Sequence, residues 1–149
     1  MKVAIASDHA GFELKEKIKK YLEELGYKHK DFGTDSNDSV DYPDYALKVA
    51  GSIAKKESDM GILICSSGIG MSIVANKVPG IRAALCCTAE MARLSREHND
   101  ANVLTIGARL TEEKTAKEIV RVWLTTKFVG DRHLRRINKI RDIEQKYVK

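Results

Sequence analysis

Residues 61–72, GILICSSGIGMS, place several chemically useful groups side by side. Cys65 ends an apolar run, two serines follow it, and Gly68 and Gly70 form a Gly-x-Gly pair. The two glycines let the backbone turn sharply and approach a ligand closely. A helix that begins here would point its free N–H groups and its positive end at that ligand. The stretch therefore predicts an anion site, and a simple tight turn is the alternative.

Three familiar loop chemistries do not fit these residues. A dinucleotide fingerprint requires a third glycine where Ile73 stands. A Walker loop requires a Gly-Lys-Ser/Thr sequence, which the chain lacks. A cysteine-phosphatase loop requires an arginine where Met71 stands, so attack of a thiolate on phosphorus is poorly supported.

Proton transfer at carbon is the chemistry that remains. The N-terminus of a helix favours the thiolate form of a cysteine, and Cys65 as a thiolate could remove a proton from a carbon next to a carbonyl. The N–H groups of residues 66–70 and the hydroxyl of Ser67 could stabilise the oxyanion that develops. Isomerisation of an aldose to a ketose through an enediolate needs this combination. For Cys65 alone, a packed thiol at a strand end is the competing interpretation.

A sugar phosphate would need two further devices. One is an acid that opens the cyclic sugar, and His98 in SREHND is a candidate because imidazoles exchange protons near neutral pH. The other is a phosphate clamp, for which DRHLRR supplies Arg132, Arg135 and Arg136, and His9 could join them. A structural histidine and a solvated basic face are the alternatives. The clamp gains support only if the tail folds over a strand end, in the same or a second subunit.

These residues need a framework, and the pattern predicts strands that alternate with helices. Apolar residues between the strands recur at helical spacing, with Gly26 ending the first helix and Pro43 opening the second. Thr88 is predicted to cap the fourth helix and Thr111 to begin the fifth. A very polar helix is predicted over 131–147. The predicted strands are 2–7, 27–33, 60–65, 81–87 and 102–107.

The central strands are continuous apolar runs, which is typical of a parallel α/β sheet with helices on both faces. Ligands of such sheets bind beyond the carboxyl ends of the strands, where the strand order reverses. Chemically active side chains stand at the predicted strand ends: SDH at 7–9, CSSG at 65–68, CT at 87–88 and GAR at 107–109.

Length and composition fit one domain over residues 1–149, with 43% hydrophobic and 32% charged residues. No apolar run approaches the ~18 residues of a membrane helix, and the stretch before Asp8 is too short for a secretory signal. We therefore expect a cytoplasmic protein that does not contact membranes.

The chain has three cysteines, an odd number, so no disulfide framework is expected. They do not have the spacing of a zinc site. Cys86 and Cys87 are predicted to be packing residues.

The net charge of +5 makes nucleic acid a candidate partner, because residues 127–149 are rich in Lys and Arg. Charges elsewhere are mixed, as in ELKEKIKKYLEEL, and no zinc finger or RNA-recognition motif is present. A small anionic substrate explains a local basic cluster equally well. We therefore expect no nucleic-acid partner.

Together these motifs resemble the B-type ribose-5-phosphate isomerases, of the family shared with galactose-6-phosphate isomerases. The likeness covers nearly the whole chain and is specific only when the motifs are combined. The matching stretches are IASDHAGFELK at 5–15, DYPDYA at 41–46, GILICSSGIGMSIVANKVPGIRAAL at 61–85, SREHNDANVLTIGAR at 95–109 and DRHLRRI at 131–137.

The resemblance implies a Rossmann-like three-layer sandwich with a five-stranded parallel sheet and a C-terminal helical tail. It implies an enzyme of the pentose phosphate pathway that interconverts ribose 5-phosphate and ribulose 5-phosphate without a metal or other cofactor. Cys65 would be the base that moves the proton between C1 and C2, His98 would open the furanose ring, and Ser67 would assist at the oxyanion. The implied substrate-binding residues are Asp8, His9, Ser66, Ser67, Gly68, Ile69, Gly70, Asn99, Arg109, Arg132 and Arg136.

The resemblance also implies a homodimer, or a dimer of dimers, whose active site lies at the subunit boundary. The tail, about residues 131–149, would then pack on a partner subunit. Many family members carry Gly then Thr where this chain has Ser66 and Ser67; Ser67 retains a hydroxyl, and Ser66 adds a side chain that could alter the fit for substrate. Arg135 matches no family position and is interpreted as a surface residue.

Two other functions stay open from the residues. The substrate could be a six-carbon aldose phosphate, such as allose 6-phosphate or galactose 6-phosphate, since pocket length decides this. The chain could also be a non-catalytic protein that binds a sugar phosphate through the same loop.

Overall fold

The apolar runs form one parallel sheet in the computed structural model, which describes residues 1–148. Its strand order is β2-β1-β3-β5-β4, and every neighbouring pair is parallel. The strands are β1 (Lys2–Ser7), β2 (Lys28–Asp31), β3 (Met60–Cys65), β4 (Ala83–Leu85) and β5 (Val103–Gly107). The helices are α1 (Phe12–Glu24), α2 (Tyr42–Ala54), α3 (Ile69–Ala75), α4 (Ala89–Glu97), α5 (Glu113–Thr125) and α6 (Arg132–Tyr147). The predicted α/β sandwich is confirmed.

The central strand β3 is buried along its whole length because helices cover both of its faces. Ile62 and Ile64 belong to the core under α1, α4 and α5. Leu63 and Cys65 alternate with them and belong to the core under α2 and α3. Successive residues of a strand point to opposite faces, which explains why the run MGILIC has no polar member.

Two strands are shorter in the structure than the sequence predicts, and the helix ends agree with the prediction only in part. β2 contains only KHKD and β4 only AAL, and each pairs on one side as an edge strand.

Thr88 caps α4 as predicted, its Oγ1 accepting the Met91 N–H at 3.1 Å. Thr111 does not begin α5, whose N-cap is Glu112. Gly26 follows α1 at φ +84°, the left-handed conformation that ends a helix.

Because all strands are parallel, their carboxyl ends lie together on one side of the sheet and their amino ends on the opposite side. We call the side where β1, β3 and β5 end, at Ser7, Cys65 and Gly107, the carboxyl edge. The term does not refer to the edge strands β2 and β4. The amino edge is the opposite side, where β3 begins at Met60 and β5 at Val103. Each helix that follows a strand carries the chain from the carboxyl edge back to the amino edge.

The predicted tail helix exists as α6, but it has little contact with its own chain. Only His133 and Ile137 of this helix are buried. The predicted tail includes Lys149, which lies outside the described residues. That the tail packs on a partner subunit stays a prediction. Exposed apolar side chains of α6 and the residue after it are Leu134, Ile140, Ile143, Tyr147 and Val148.

Within residues 1–148, no helix is both long enough and apolar enough to span a bilayer.

Candidate active site

The strand order reverses between β1 and β3, and a cleft lies at their carboxyl ends. The chain leaves β1 toward β2 on one side and continues with β3 on the other. This arrangement opens a crevice at the point where parallel sheets bind ligands. The cleft has a volume of about 370 Å³. It is lined by Asp8, Tyr42, Cys65, Ser66, Ser67, Ile69, Gly70 and Ile73.

Cys65 lies at the floor of this cleft, at the end of β3. Its side chain is 4% exposed, and its Sγ accepts the Gly68 N–H at 3.2 Å. Gly68 makes this contact at φ +79°. A Cβ there would lie 2.6 Å from Leu85 Cδ1 and 2.9 Å from the Ile106 carbonyl carbon, so only glycine fits. The sulfur is therefore both close to the cleft and held against a backbone N–H donor.

The loop after Cys65 has fewer free N–H groups than the sequence predicts. Gly68 donates to the sulfur, and Ile69 donates its N–H to Ser67 Oγ at 3.2 Å. The N–H groups of Ser66, Ser67 and Gly70 are the remaining candidates for an oxyanion. Ser67 accepts a hydrogen bond in this contact, so its hydroxyl proton stays available to a ligand.

Asp8 and His9 directly follow the end of β1 and therefore lie at the carboxyl edge. Asp8 is 6% exposed, and its Oδ1 accepts the Gly11 N–H at 3.0 Å. His9 Nδ1 accepts the Val40 N–H at 3.2 Å, so its other ring nitrogen can carry the proton. Arg109 joins from the end of β5, where its N–H donates to the Ser66 carbonyl at 3.0 Å and its side chain is exposed.

Tyr42 is a cleft residue that the sequence analysis does not single out. Its ring packs over Gly70, where an added Cβ would lie 2.6 Å from Tyr42 Cζ. The only sequence signal is its place before Pro43, in a stretch recognised as a helix start. Nothing in that stretch says that an aromatic ring reaches the loop after β3.

A second group of predicted site residues lies at the amino edge. His98 follows α4, and its ring stacks on that of His133 with centroids 4.2 Å apart and planes 12° from parallel. Burial lowers the pKa of His133, and His98, Arg132 and Arg136 lower it further, while Asp131 opposes them. His133 is therefore a neutral imidazole at neutral pH. Like Tyr42, His133 has no pattern in the sequence that marks it as a residue of the site.

One chain does not bring the two groups together. Cys65 is paired with Gly107, whereas His98 lies just before Val103, at the other end of β5. That strand spans about 13 Å at roughly 3.3 Å per residue. The carboxyl edge gathers Asp8, His9, Cys65, Ser66, Ser67, Gly68, Ile69, Gly70 and Arg109. The amino edge carries His98, Asn99, Arg132 and Arg136.

The other cysteines do not enter the site. Cys86 is buried, and burial raises the pKa of its thiol to about 11, as expected of a packing residue. Cys87 is exposed, so the prediction that it packs in the core is wrong: it follows the end of β4 and lies outside the sheet. Among residues 1–148, no group of three His, Cys, Asp or Glu side chains is placed to hold a metal ion.

Comparisons with known proteins agree on one family. Residues 3–140 match the model of the family described as Ribose/Galactose Isomerase. The chain is 48% identical to ribose-5-phosphate isomerase B of Escherichia coli, over 97% of both chains.

Solved structures give the same result. Ribose-5-phosphate isomerase B of Clostridium thermocellum superposes with a TM-score of 0.98 at 53% identity, covering 99% of this chain and 100% of that one. The enzyme of Mycoplasma genitalium with bound ribulose-5-phosphate superposes with a TM-score of 0.93 at 40% identity, covering 97% and 96%.

Proposed function

The chain belongs to the ribose/galactose isomerase family, and from that premise we propose that it interconverts D-ribose 5-phosphate and D-ribulose 5-phosphate. The observation that carries this proposal is Cys65, which lies at the floor of a cleft beside a backbone N–H and the Ser67 hydroxyl. A base and an oxyanion site in one loop are what an aldose–ketose isomerisation requires. The names of the Escherichia coli and Clostridium thermocellum relatives support the five-carbon substrate.

In the proposed reaction, the Cys65 thiolate removes the proton from C2 of the open-chain aldose. The C–H electrons form the C1–C2 double bond, and the carbonyl electrons move to O1, which gives an enediolate. The Ser67 hydroxyl and the N–H groups of Ser66, Ser67 and Gly70 stabilise this negative charge. The Cys65 thiol then returns the proton to C1 while O2 loses its proton and O1 gains one, which completes the ketose.

Ring opening is assigned to His98, which donates a proton to the furanose ring oxygen while the bond from that oxygen to C1 breaks and the C1 hydroxyl loses its proton to solvent. Its stack on His133 fixes the plane of the imidazole. Burial and the neighbouring cations lower the pKa of the His133 side chain. Asn99, beside His98, is assigned to contacts with sugar hydroxyls.

This chemistry needs two subunits, because Cys65 and His98 lie at opposite edges of the sheet in one chain. We propose a homodimer, alone or paired into a tetramer, in which the carboxyl edge of one subunit meets the amino edge of its partner. The exposed apolar side chains of α6 support a partner on that helix. Closed two-fold assemblies are the commonest for identical chains and produce two such sites.

The phosphate is assigned to the cationic groups that this contact brings together. Arg132 and Arg136 are exposed on the first turns of α6, and Arg109 is exposed at the carboxyl edge. Guanidinium groups bind phosphate oxygens in a bidentate manner. Asp8, His9 and Tyr42 complete the sugar end of the cleft from the first subunit.

The proposal is tested with Cys65→Ala and Cys65→Ser. We expect isomerisation of ribose 5-phosphate to fall by about 10²–10⁴-fold in both variants, together with solvent exchange of the substrate C2 proton. Cys87→Ser, an exposed thiol outside the cleft, is the control and should keep full activity. Undiminished proton exchange in Cys65→Ala would exclude Cys65 as the base. If the native enzyme turns over allose 6-phosphate or galactose 6-phosphate faster than ribose 5-phosphate, the six-carbon sugar is the substrate and the proposed one is wrong.

A further inference from the structure

The turn that follows His98 is held by an arginine from a different part of the chain. Arg82 directly precedes β4, and its side chain is 16% exposed. Its Nε donates to the carbonyl oxygens of Asn99 at 3.0 Å and Asp100 at 3.2 Å. Its Nη2 donates to the same Asp100 carbonyl at 2.9 Å and to the Asp100 carboxylate at 3.3 Å. One guanidinium therefore binds the carbonyl groups of the two residues that follow His98.

The turn needs such support because its backbone is unusual. Asp100 has φ +46°, a left-handed conformation that non-glycine residues adopt only where the surroundings fix it. Arg96 holds the other side, its Nη1 donating to Asp100 Oδ1 at 2.9 Å and to the Ala101 carbonyl at 2.6 Å. The Arg82 N–H also donates to Asn102 Oδ1 at 2.8 Å, which ties the start of β4 to the end of the turn.

We propose that Arg82 is a positioning residue for the isomerisation. It fixes the Asn99 peptide and, through it, the orientation of His98 against the His133 ring, while contacting no substrate itself. This inference rests on the proposed role of His98. Lysine cannot replace Arg82, because a single ammonium group does not reproduce the planar set of donors that reaches two carbonyls and a carboxylate.

Arg82→Lys tests this role, with Arg121→Lys as the matched control. Arg121 is exposed on α5 and, among residues 1–148, pairs only with Glu118 of its own helix. We expect kcat with ribose 5-phosphate to fall about 10–100-fold in Arg82→Lys with a smaller change in KM, since the substrate still binds but His98 is misaligned. Arg121→Lys should retain native kcat.

Imidazole NMR gives a readout that a purely structural role would not change. The chain has four histidines. In Arg82→Lys we expect the ring resonances of His98 and His133 to shift and those of His29, on β2, to stay at their native positions. Native kcat and native His98 resonances in a folded Arg82→Lys protein would overturn the inference.

A second variant keeps the test valid if lysine disrupts folding. Arg82 lines a cleft of about 440 Å³ at the amino edge, which leaves room for a small cation in the place of its guanidinium. We expect guanidinium chloride at millimolar concentration to restore activity to Arg82→Ala, and ammonium chloride at the same ionic strength to leave it low. Equal recovery with both salts, or no recovery in folded protein, contradicts the proposal.

His98→Ala separates this inference from the proposed function. If His98→Ala is impaired while Arg82→Lys and Arg82→Ala are native, only the positioning role of Arg82 fails. If His98→Ala isomerises ribose 5-phosphate at the native rate, the proposed acid itself is wrong.

Discussion

At the scale of single residues, the site depends on close contacts within the loop between β3 and α3. The Cys65 sulfur, its Gly68 donor and Ser67 are within three positions of one another, so the sequence alone places these groups together. Tyr42 and His133 were not predictable in this way. Each reaches its place only after folding, Tyr42 across Gly70 and His133 against His98, and no local pattern encodes such contacts.

Gly68→Ala should be strongly destabilising. The residue has φ +79°, and a Cβ would approach the Ile106 backbone to 2.9 Å, so both strain and overlap oppose any side chain. We expect a loss of about 1–3 kcal/mol in the free energy of unfolding, measured by urea denaturation, with loss of isomerase activity.

Gly51→Ala is the control for this change. Gly51 lies inside α2 without a positive φ, and no described residue outside its own helix backbone comes within 4 Å of an added Cβ. Alanine there should stabilise the protein by about 0.5–1 kcal/mol, because it is the better helix former. Equal effects of the two substitutions would show that the conformation at Gly68 is not restricted.

At the scale of elements, the predictions were most accurate where a pattern is long and strong. β3 is an unbroken apolar run with helices on both faces, and its predicted bounds match the structure. β2 and β4 are shorter than predicted because edge strands pair on one side only, which sequence alone does not reveal. α1 and β2 are joined by a contact that was not predicted: the fully buried Lys15 Nζ lies 2.6 Å from Asp31 Oδ2.

Asp31→Asn should weaken the packing of α1 on β2 in a pH-dependent manner. Burial acts to raise the pKa of Asp31, but hydrogen bonds from Lys15, Lys19 and the Gly33 N–H outweigh it, so the pKa lies below its usual value. A depressed carboxyl pKa contributes stability above the unfolded-state pKa, near 3.9, and this contribution is lost as pH falls through the folded-state value.

The measurement is the free energy of unfolding as a function of pH. At pH 7 the variant should lose about 1–3 kcal/mol, because the buried Lys15 ammonium loses its nearer carboxylate and, among the described residues, keeps only Glu16, at 3.4 Å. Below about pH 4 the difference from the native protein should narrow as Asp31 becomes protonated. Asp142→Asn, on the exposed face of α6, is the control. A difference that stays constant with pH would contradict the assigned ion pair.

At the scale of the whole molecule, the fold separates the two groups that the proposed reaction combines, Cys65 and His98. Parallel topology places Cys65 at the carboxyl edge, and α4 returns the chain to the amino edge before His98. The alternation of strands and helices was readable from the sequence. How two copies would share the proposed site was not readable from the sequence, because that depends on how two folded surfaces meet. α6, with two buried residues and an exposed apolar side, agrees with such a contact.

The central claim is that Cys65 of one subunit acts with His98 of another, and mixed oligomers test it most directly. Cys65→Ala and His98→Ala are each expected to be nearly inactive as purified homo-oligomers. In a mixed dimer, one site carries both substitutions and the other carries neither. Equal co-expression with random pairing should therefore restore about one quarter of native activity, since half of the dimers are mixed and each has one intact site.

The control is the two variants expressed separately and combined without subunit exchange, which should stay inactive. Recovery of about one quarter of native activity only after co-expression is the result that the two-subunit site predicts. Co-expressed variants that form mixed oligomers, shown by purification through two different affinity tags, and yet remain as inactive as their parents would contradict it.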